Sequence, residues 1–298
     1  MNILSNITKL KCGKVLENID IKEYVTYKAG GKALCLVIPD NIDKLITLLK
    51  YVRENNIKYK ILGKGSNLVF GDALYEGVLI KLDKFDNIEI NGDKIVVGAG
   101  YSLIKLSMKT ARNGLTGLEF AAGIPGTIGG AVFMNAGAYN SDMGYVVREV
   151  KVLTPNYEIK TLTNSEMDFH YRTSFLQKNP DYICLEVTII LKKGNRDLIL
   201  EVIADRKKRR LESQPLEYPS AGSVFRNPPE DYAGRLIEEI GYKGKKIGDA
   251  MVSLRHANFI INSGNAKGDD IKSLILEIQS QIKEKYSIEL KIEQEFVE

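Results

Sequence analysis

Three polar clusters in the 298-residue chain carry side chains able to do chemistry. The first is Tyr171-Arg172-Thr173-Ser174. An arginine is charged at every working pH and offers a planar fork of donors to a developing negative charge. The second is AGSVFRNP, residues 221–228, where Ser223 follows an Ala-Gly pair. A serine hydroxyl passes a proton only to a strongly basic partner or through a hydrogen-bond relay. The third is the closing segment SIELKIEQEFV, residues 287–297. Strand alternation puts Ile288, Leu290 and Ile292 on one side and Glu289, Lys291, Glu293 and Glu295 on the other. Each cluster also has a plain structural use: Arg172 in an ion pair, Ser223 capping a turn, Glu293 on a solvated edge strand. The residues by themselves leave both uses open. With only His170 and His256 present, a histidine metal centre or a Ser-His-Asp triad is poorly supplied. Acid–base chemistry falls to Glu, Asp, Ser, Tyr, Lys or Arg.

Two glycine-rich stretches look like ligand loops. Gly117–Tyr139, GLEFAAGIPGTIGGAVFMNAGAY, is small and apolar with one charge, Glu119. Glycine recurs where backbone takes unusual dihedrals or approaches another group closely, so this stretch offers backbone amides to a ligand. A tight chain crossing in the core is the competing account. Gly63–Asn67, GKGSN, could form an anion nest from successive N–H groups with Ser66 and Asn67, or a plain strand-turn-strand corner. Neither stretch has the GxxxxGK[ST] of a P-loop or a GxGxxG after a strand, so two familiar phosphate sites are absent.

The elements that must position these groups are legible in outline. Residues 40–56 put Ile42, Leu45, Ile46, Leu49 and Val52 on one helical stripe. Asn91-Gly92 signals a hairpin, Ser102 caps a helix that Gly114 ends, and Pro155-Asn156 turns a second hairpin. A strand over 181–191, helices over 195–213 and 230–240, and an amphipathic helix over 268–286 complete an α+β pattern. The basic run Arg206–Arg210 is a solvated helix face or a phosphate contact. Three scattered cysteines without CxxC argue against a zinc site or disulfide framework and suit a reducing cytosol. No stretch approaches the ~20 apolar residues of a membrane span, and no signal peptide precedes the first elements. These features predict a cytoplasmic protein. A net charge of +4 permits an anionic small ligand without arguing for nucleic acid.

TYKAGGKA (26–33), LGKGSNLV (62–69), the Gly117–Tyr139 stretch, YRTS and AGSVFRNP, taken in order, resemble the UDP-N-acetylenolpyruvoylglucosamine reductases. AGRLIE (233–238), GDAMVS (248–253) and HANFIIN (256–262) extend the resemblance to the C-terminal part. Only a dozen residues separate Tyr171 from Cys184, without the tyrosine-bearing insertion of longer members, which matches the shorter type II branch. The resemblance implies a PCMH-type (vanillyl-alcohol-oxidase-like) FAD-binding fold of two α+β subdomains, residues 1–83 and 84–200, and an α+β substrate-binding domain, 201–298. It implies non-covalent FAD bound by Tyr27, Gly30 and Gly31, then by Gly63, Lys64, Gly65, Ser66, Asn67 and Leu68. The glycine stretch contributes Gly123, Pro125, Gly126, Thr127, Gly129, Gly130, Asn135 and Gly137. NADPH is the implied reductant and an enolpyruvyl UDP-sugar the implied substrate, contacted by Tyr171, Asn227 and Arg210. Arg172, Ser223 and Glu293 are the implied catalytic groups. The family's glutamate is followed by Val-Arg, whereas Glu293 is followed by Gln294 and Glu295, so Glu295 is the fallback. No metal, nucleic acid or membrane is implied, and the chain is expected to act as a monomer.

Two other readings compete. A flavin oxidase of an alcohol or hydroxy acid would keep the fold, but it leaves Arg172, Ser223 and Glu293 without a joint purpose. A nucleic-acid contact at 206–210 conflicts with the small net charge.

Overall fold

The computed structural model describes residues 3–298. Contacts divide the chain into two compact units, each assembled from three segments of the chain.

One unit takes the N-terminal stretch to Val15, Val37–Gly63 and Leu79–Arg209. Its five-stranded sheet runs Ile159–Thr163, Val147–Leu153, Ile183–Ile190, Lys94–Gly98, Ile88–Asn91, antiparallel throughout. Both predicted hairpins are present. Asn91 pairs with Lys94, so the first turn is Gly92-Asp93, one residue later than expected, with Gly92 at φ +65°. Short helix Ile128–Phe133 from the glycine stretch packs on strands Ile183–Ile190 and Lys94–Gly98. Ile128 and Val132 of the helix are buried, as are Ile95, Val97, Val187 and Ile189 of the two strands. Helix Ile42–Glu54 starts at Asn41, whose side chain accepts from the Lys44 N–H. Helix Leu103–Arg112 starts at Ser102 in the same way and ends before Gly114 at φ +68°. Local capping chemistry therefore decided these boundaries.

The other unit takes Leu16–Leu36, Lys64–Val78 and Arg210–Glu298. Helix Gly268–Tyr286 buries Ile271, Leu274, Ile275, Ile278 and Ile282 in its core. Full burial of each such side chain is worth roughly 1.5–3 kcal/mol before entropy is counted. Val69, Phe225, Leu236, Ile237, Ile260 and Leu290 complete the same cluster. The expected strand over 287–297 is only partly formed. Regular pairing is confined to Glu295–Val297, parallel to Leu68–Phe70, while Phe225 and Ile292 make an isolated bridge. Alternation nevertheless persists in burial: Leu290 and Gln294 point inward, and Glu289, Lys291 and Glu295 are exposed.

Candidate active site

Within the second unit, Ser223 and Glu293 are brought together by backbone. Gly222 sits at φ +75°, a left-handed turn that would strain a side chain, and a Cβ there would meet nothing within 4 Å. The chain then runs past Ser223 between two partners. On one side, Val224 N–H donates to the Asn258 carbonyl at 2.9 Å. The Asn258 side chain accepts from Phe225 N–H at 3.0 Å and returns Nδ2–H to the Phe225 carbonyl at 2.8 Å. On the other side, Glu293 N–H donates to the Val224 carbonyl at 2.8 Å, and Arg226 N–H to the Lys291 carbonyl at 2.9 Å. Glu293 is thus no solvated edge residue. Its own carbonyl accepts from Asn67 Nδ2 at 2.9 Å, and Glu295 N–H donates to the Asn67 carbonyl at 2.9 Å. The GKGSN turn, the AGSVF turn and the C-terminal segment therefore form one hydrogen-bonded assembly. Glu295 is exposed, and beside Tyr75 its carboxylate adds to burial in pushing that phenol up to about 12.

Arg172 lies in the first unit, in a tight turn with φ +54°. His170 and Thr173 exchange N–H···O bonds of 3.0 Å across the turn. Asn135 Nδ2 holds the His170 carbonyl at 2.8 Å, Gln177 Nε2 holds the Arg172 carbonyl at 3.0 Å, and Ser174 Oγ donates to the Phe133 carbonyl at 2.7 Å. The guanidinium donates from Nη2 to the Gly137 carbonyl at 2.8 Å and lies over the Tyr171 ring, 5.0 Å from its centre. A carbonyl and an aromatic face help to orient the fork. Beneath the turn, Lys178 and His170 both reach Asp168, and hydrogen bonds from Lys178 first and His170 second hold its carboxyl below the usual range.

Residues 214–297 match the C-terminal domain of UDP-N-acetylenolpyruvoylglucosamine reductase, and residues 33–163 match an FAD binding domain. The reductase of Halalkalibacterium halodurans is 44% identical over 99% of this chain and 98% of its own, and that of Bacillus licheniformis 45% over the same shares. The crystal structure of the Thermus caldophilus enzyme superposes with a TM-score of 0.82 at 36% identity, covering 96% of this chain and 99% of that one. The chain belongs to the UDP-N-acetylenolpyruvoylglucosamine reductase family. Its fold is accordingly the PCMH-type α+β fold of that family.

The reductase-family glycines divide between two tasks. Several lie where the chain passes close to itself and a side chain would collide. A Cβ on Gly129 would stand 3.0 Å from Ala99 Cβ, one on Gly63 2.7 Å from Thr127 Oγ1, and one on Gly137 2.5 Å from Asp142 Cβ. Gly31 would strike the Asp72 carbonyl, Gly30 approaches Phe70, and Gly65, at φ +61°, approaches the Tyr24 carbonyl. Gly126 behaves differently, since a Cβ there would meet nothing within 4 Å. It stands just ahead of Thr127, which caps Ile128–Phe133 by accepting from Gly130 N–H. Bare backbone beside a capped helix start fits a ligand rich in acceptors, as a flavin dinucleotide is. Pro125, Gly130 and Lys64 are exposed; Gly123, Ser66 and Leu68 are half-buried.

Three of the expected contact residues also make hydrogen bonds within the protein. Asn135 is 1% exposed, and while Nδ2 holds the Arg172 turn its Oδ1 accepts from Gly144 N–H at 2.9 Å. Both ends of its amide serve the fold, because a buried amide requires partners. Asn227 Oδ1 caps helix Ala233–Glu239 through Ala233 N–H at 3.1 Å, and Arg210 Nε donates to Gln214 Oε1 at 3.0 Å. Tyr27 is also inward, at 1% exposure, with its hydroxyl on Gln294. Tyr171 is exposed. In the basic run, Arg209 pairs with Asp205 and Arg206 stacks on Tyr139, while Lys207 and Lys208 face solvent. Sequence reasoning overlooked Asn258 and Gln294. Residue type gives no sign of Asn258's role, but alternation through 288, 290 and 292 carries Gln294 into the core, where a glutamine needs explaining. Among the described residues, no group of three His, Cys, Asp or Glu side chains could hold a metal.

Proposed function

We propose that the protein reduces the enolpyruvyl ether of UDP-N-acetylglucosamine to UDP-N-acetylmuramate, with FAD as cofactor and NADPH as reductant. The observation that carries the reading is the Glu293 N–H to Val224 carbonyl bond, which joins the strand bearing Glu293 to the turn bearing Ser223. When bound, FAD supplies the hydride that adds to C3 of the enol ether. The chain's own groups handle the charge and the proton. Arg172 presents its fork to the negative charge that develops toward the substrate carboxylate as the double bond is lost. Glu293, protonated, donates a hydrogen bond at that carboxylate and lets the enolate form. Ser223 gives its hydroxyl proton to C2, completing the addition of hydride and proton across the bond, and is reprotonated through a hydrogen-bond relay. Tyr171 serves the substrate side.

In this reading residues 1–83 and 84–200 are the FAD-binding subdomains and 201–298 the substrate-binding domain. The enzyme works as a cytoplasmic monomer on small molecules. Among the described residues, no helix is long and apolar enough to cross a membrane.

The purified protein is expected to be yellow and to oxidise NADPH only when the enolpyruvyl UDP-sugar is added. Ser223→Ala is expected to leave flavin reduction by NADPH intact and to slow reoxidation by substrate ~10²-fold or more. A protein that takes up no FAD would end the reading. Equal loss of both half-reactions would remove Ser223 as proton donor.

A further inference from the structure

Gln294 is a polar side chain that is only 4% exposed. Its amide bonds in two directions. Nε2 reaches the carbonyls of Ala221, Gly222 and Ser223 at 3.2, 3.3 and 3.5 Å. Oε1 accepts from the Tyr27 hydroxyl at 3.0 Å. Tyr27 is itself buried, and burial raises its phenol above the ordinary value. Tyr27 belongs to a buried apolar cluster that also holds Ala221, Val224, Phe225, Val69 and Leu290.

The amide therefore acts on direction. Three successive carbonyls converge on one NH2 group, through a turn whose Gly222 has no Cβ to limit it. Glycine leaves such a turn several backbone conformations. The Gln294 donors select one, and the residue that follows Gly222 is Ser223. The backbone of Gln294 is continuous with Glu293, which holds the next carbonyl of the turn, that of Val224.

We propose that Gln294 is a positioning residue: clamped by the Tyr27 hydroxyl, it fixes the Ala221–Ser223 turn and so aims the Ser223 hydroxyl at the reacting carbon. The inference rests on the reading of Ser223 as proton donor. It adds a residue that touches neither substrate nor flavin and acts through the turn.

The test follows the two half-reactions by flavin absorbance in holoenzyme. Gln294→Leu keeps the shape and removes the bonds. Flavin reduction by NADPH should stay within ~2-fold of wild type, while reoxidation by the enolpyruvyl UDP-sugar slows ~10-fold. In a Ser223→Ala background the same change should add less than ~2-fold, because a misaimed serine and an absent one are equivalent to substrate. Tyr27→Phe keeps the ring, removes the hydroxyl alone and covers the case in which Gln294→Leu fails to fold; it should slow reoxidation ~3-fold, again only when Ser223 is present. Reoxidation unchanged in the variant that folds, equal loss in both half-reactions, or a full additive effect over Ser223→Ala each overturns the inference. If Ser223→Ala leaves reoxidation unchanged, the proton-donor reading falls and the inference with it. If Ser223→Ala is slow and the Gln294 and Tyr27 variants are not, only the inference falls.

Discussion

The N–H of Glu293 donates to the carbonyl of Val224 at 2.8 Å, so a residue near the end of the chain is locked beside Ser223. Glu295, two residues on, shares the strand face but is exposed and hydrogen-bonded by its N–H to Asn67. Glu293→Gln is therefore expected to lower turnover ~10²-fold, and Glu295→Gln to leave it within ~2-fold. Steady-state kcat with the enolpyruvyl substrate decides between them. The reverse pattern would reassign the role to Glu295.

Arg172 is held through the Gly137 carbonyl, the Tyr171 ring and the Gln177 amide. Lysine keeps the charge but cannot span carbonyl and substrate with a planar fork. Arg172→Lys should cut turnover ~10-fold or more with flavin content unchanged. Turnover equal to wild type would remove Arg172 from the reaction.

Asn258 pairs with both backbone groups of Phe225 at 4% exposure. Asn258→Ala leaves a buried N–H and a buried carbonyl without those partners, at a cost of about 2 kcal/mol. Urea unfolding of the holoenzyme measures it. Unchanged stability would mean that water replaces the amide.

Asp231 accepts two bonds from Arg235 and one from Tyr232 N–H, and the Arg235 bond first holds its carboxyl down at about 2. A carboxyl lowered in the folded state stabilises above its unfolded value of about 3.9 and loses that contribution as pH falls toward the folded value. The Tm difference between wild type and Asp231→Asn should accordingly be constant above about pH 5 and vanish as pH approaches 2. Because the pair is exposed, the difference should be small and shrink in high salt. A difference that grows on acidification would contradict the assignment.

Helix Gly268–Tyr286, the cap at Ser102 and the turns at Gly92 and Gly114 were legible because each depends on residues within a few positions of one another. The ordered motifs likewise identified the family, since their residue types and sequence survive in the one-dimensional text. Alternation in the last segment put Ile288, Leu290 and Ile292 on one side, but the reading missed that Gln294 follows them inward and that formal strand pairing begins only at Glu295.

What the chain alone could not decide was partnership. Nothing in the letters N, Q or E says that Asn135 holds the Arg172 turn, that Asn258 pairs with Phe225, or that Glu293 lies against Val224. The same amide types can face solvent, cap a helix as Asn227 does, or contact a ligand. Their hydrogen bonds join residues far apart in the chain, and burial makes those bonds obligatory only after the fold has removed water. Sequence thus determined the elements, their order and the chemistry on offer. Tertiary structure decided which polar groups the fold itself claims, because desolvation rather than residue type sets that choice.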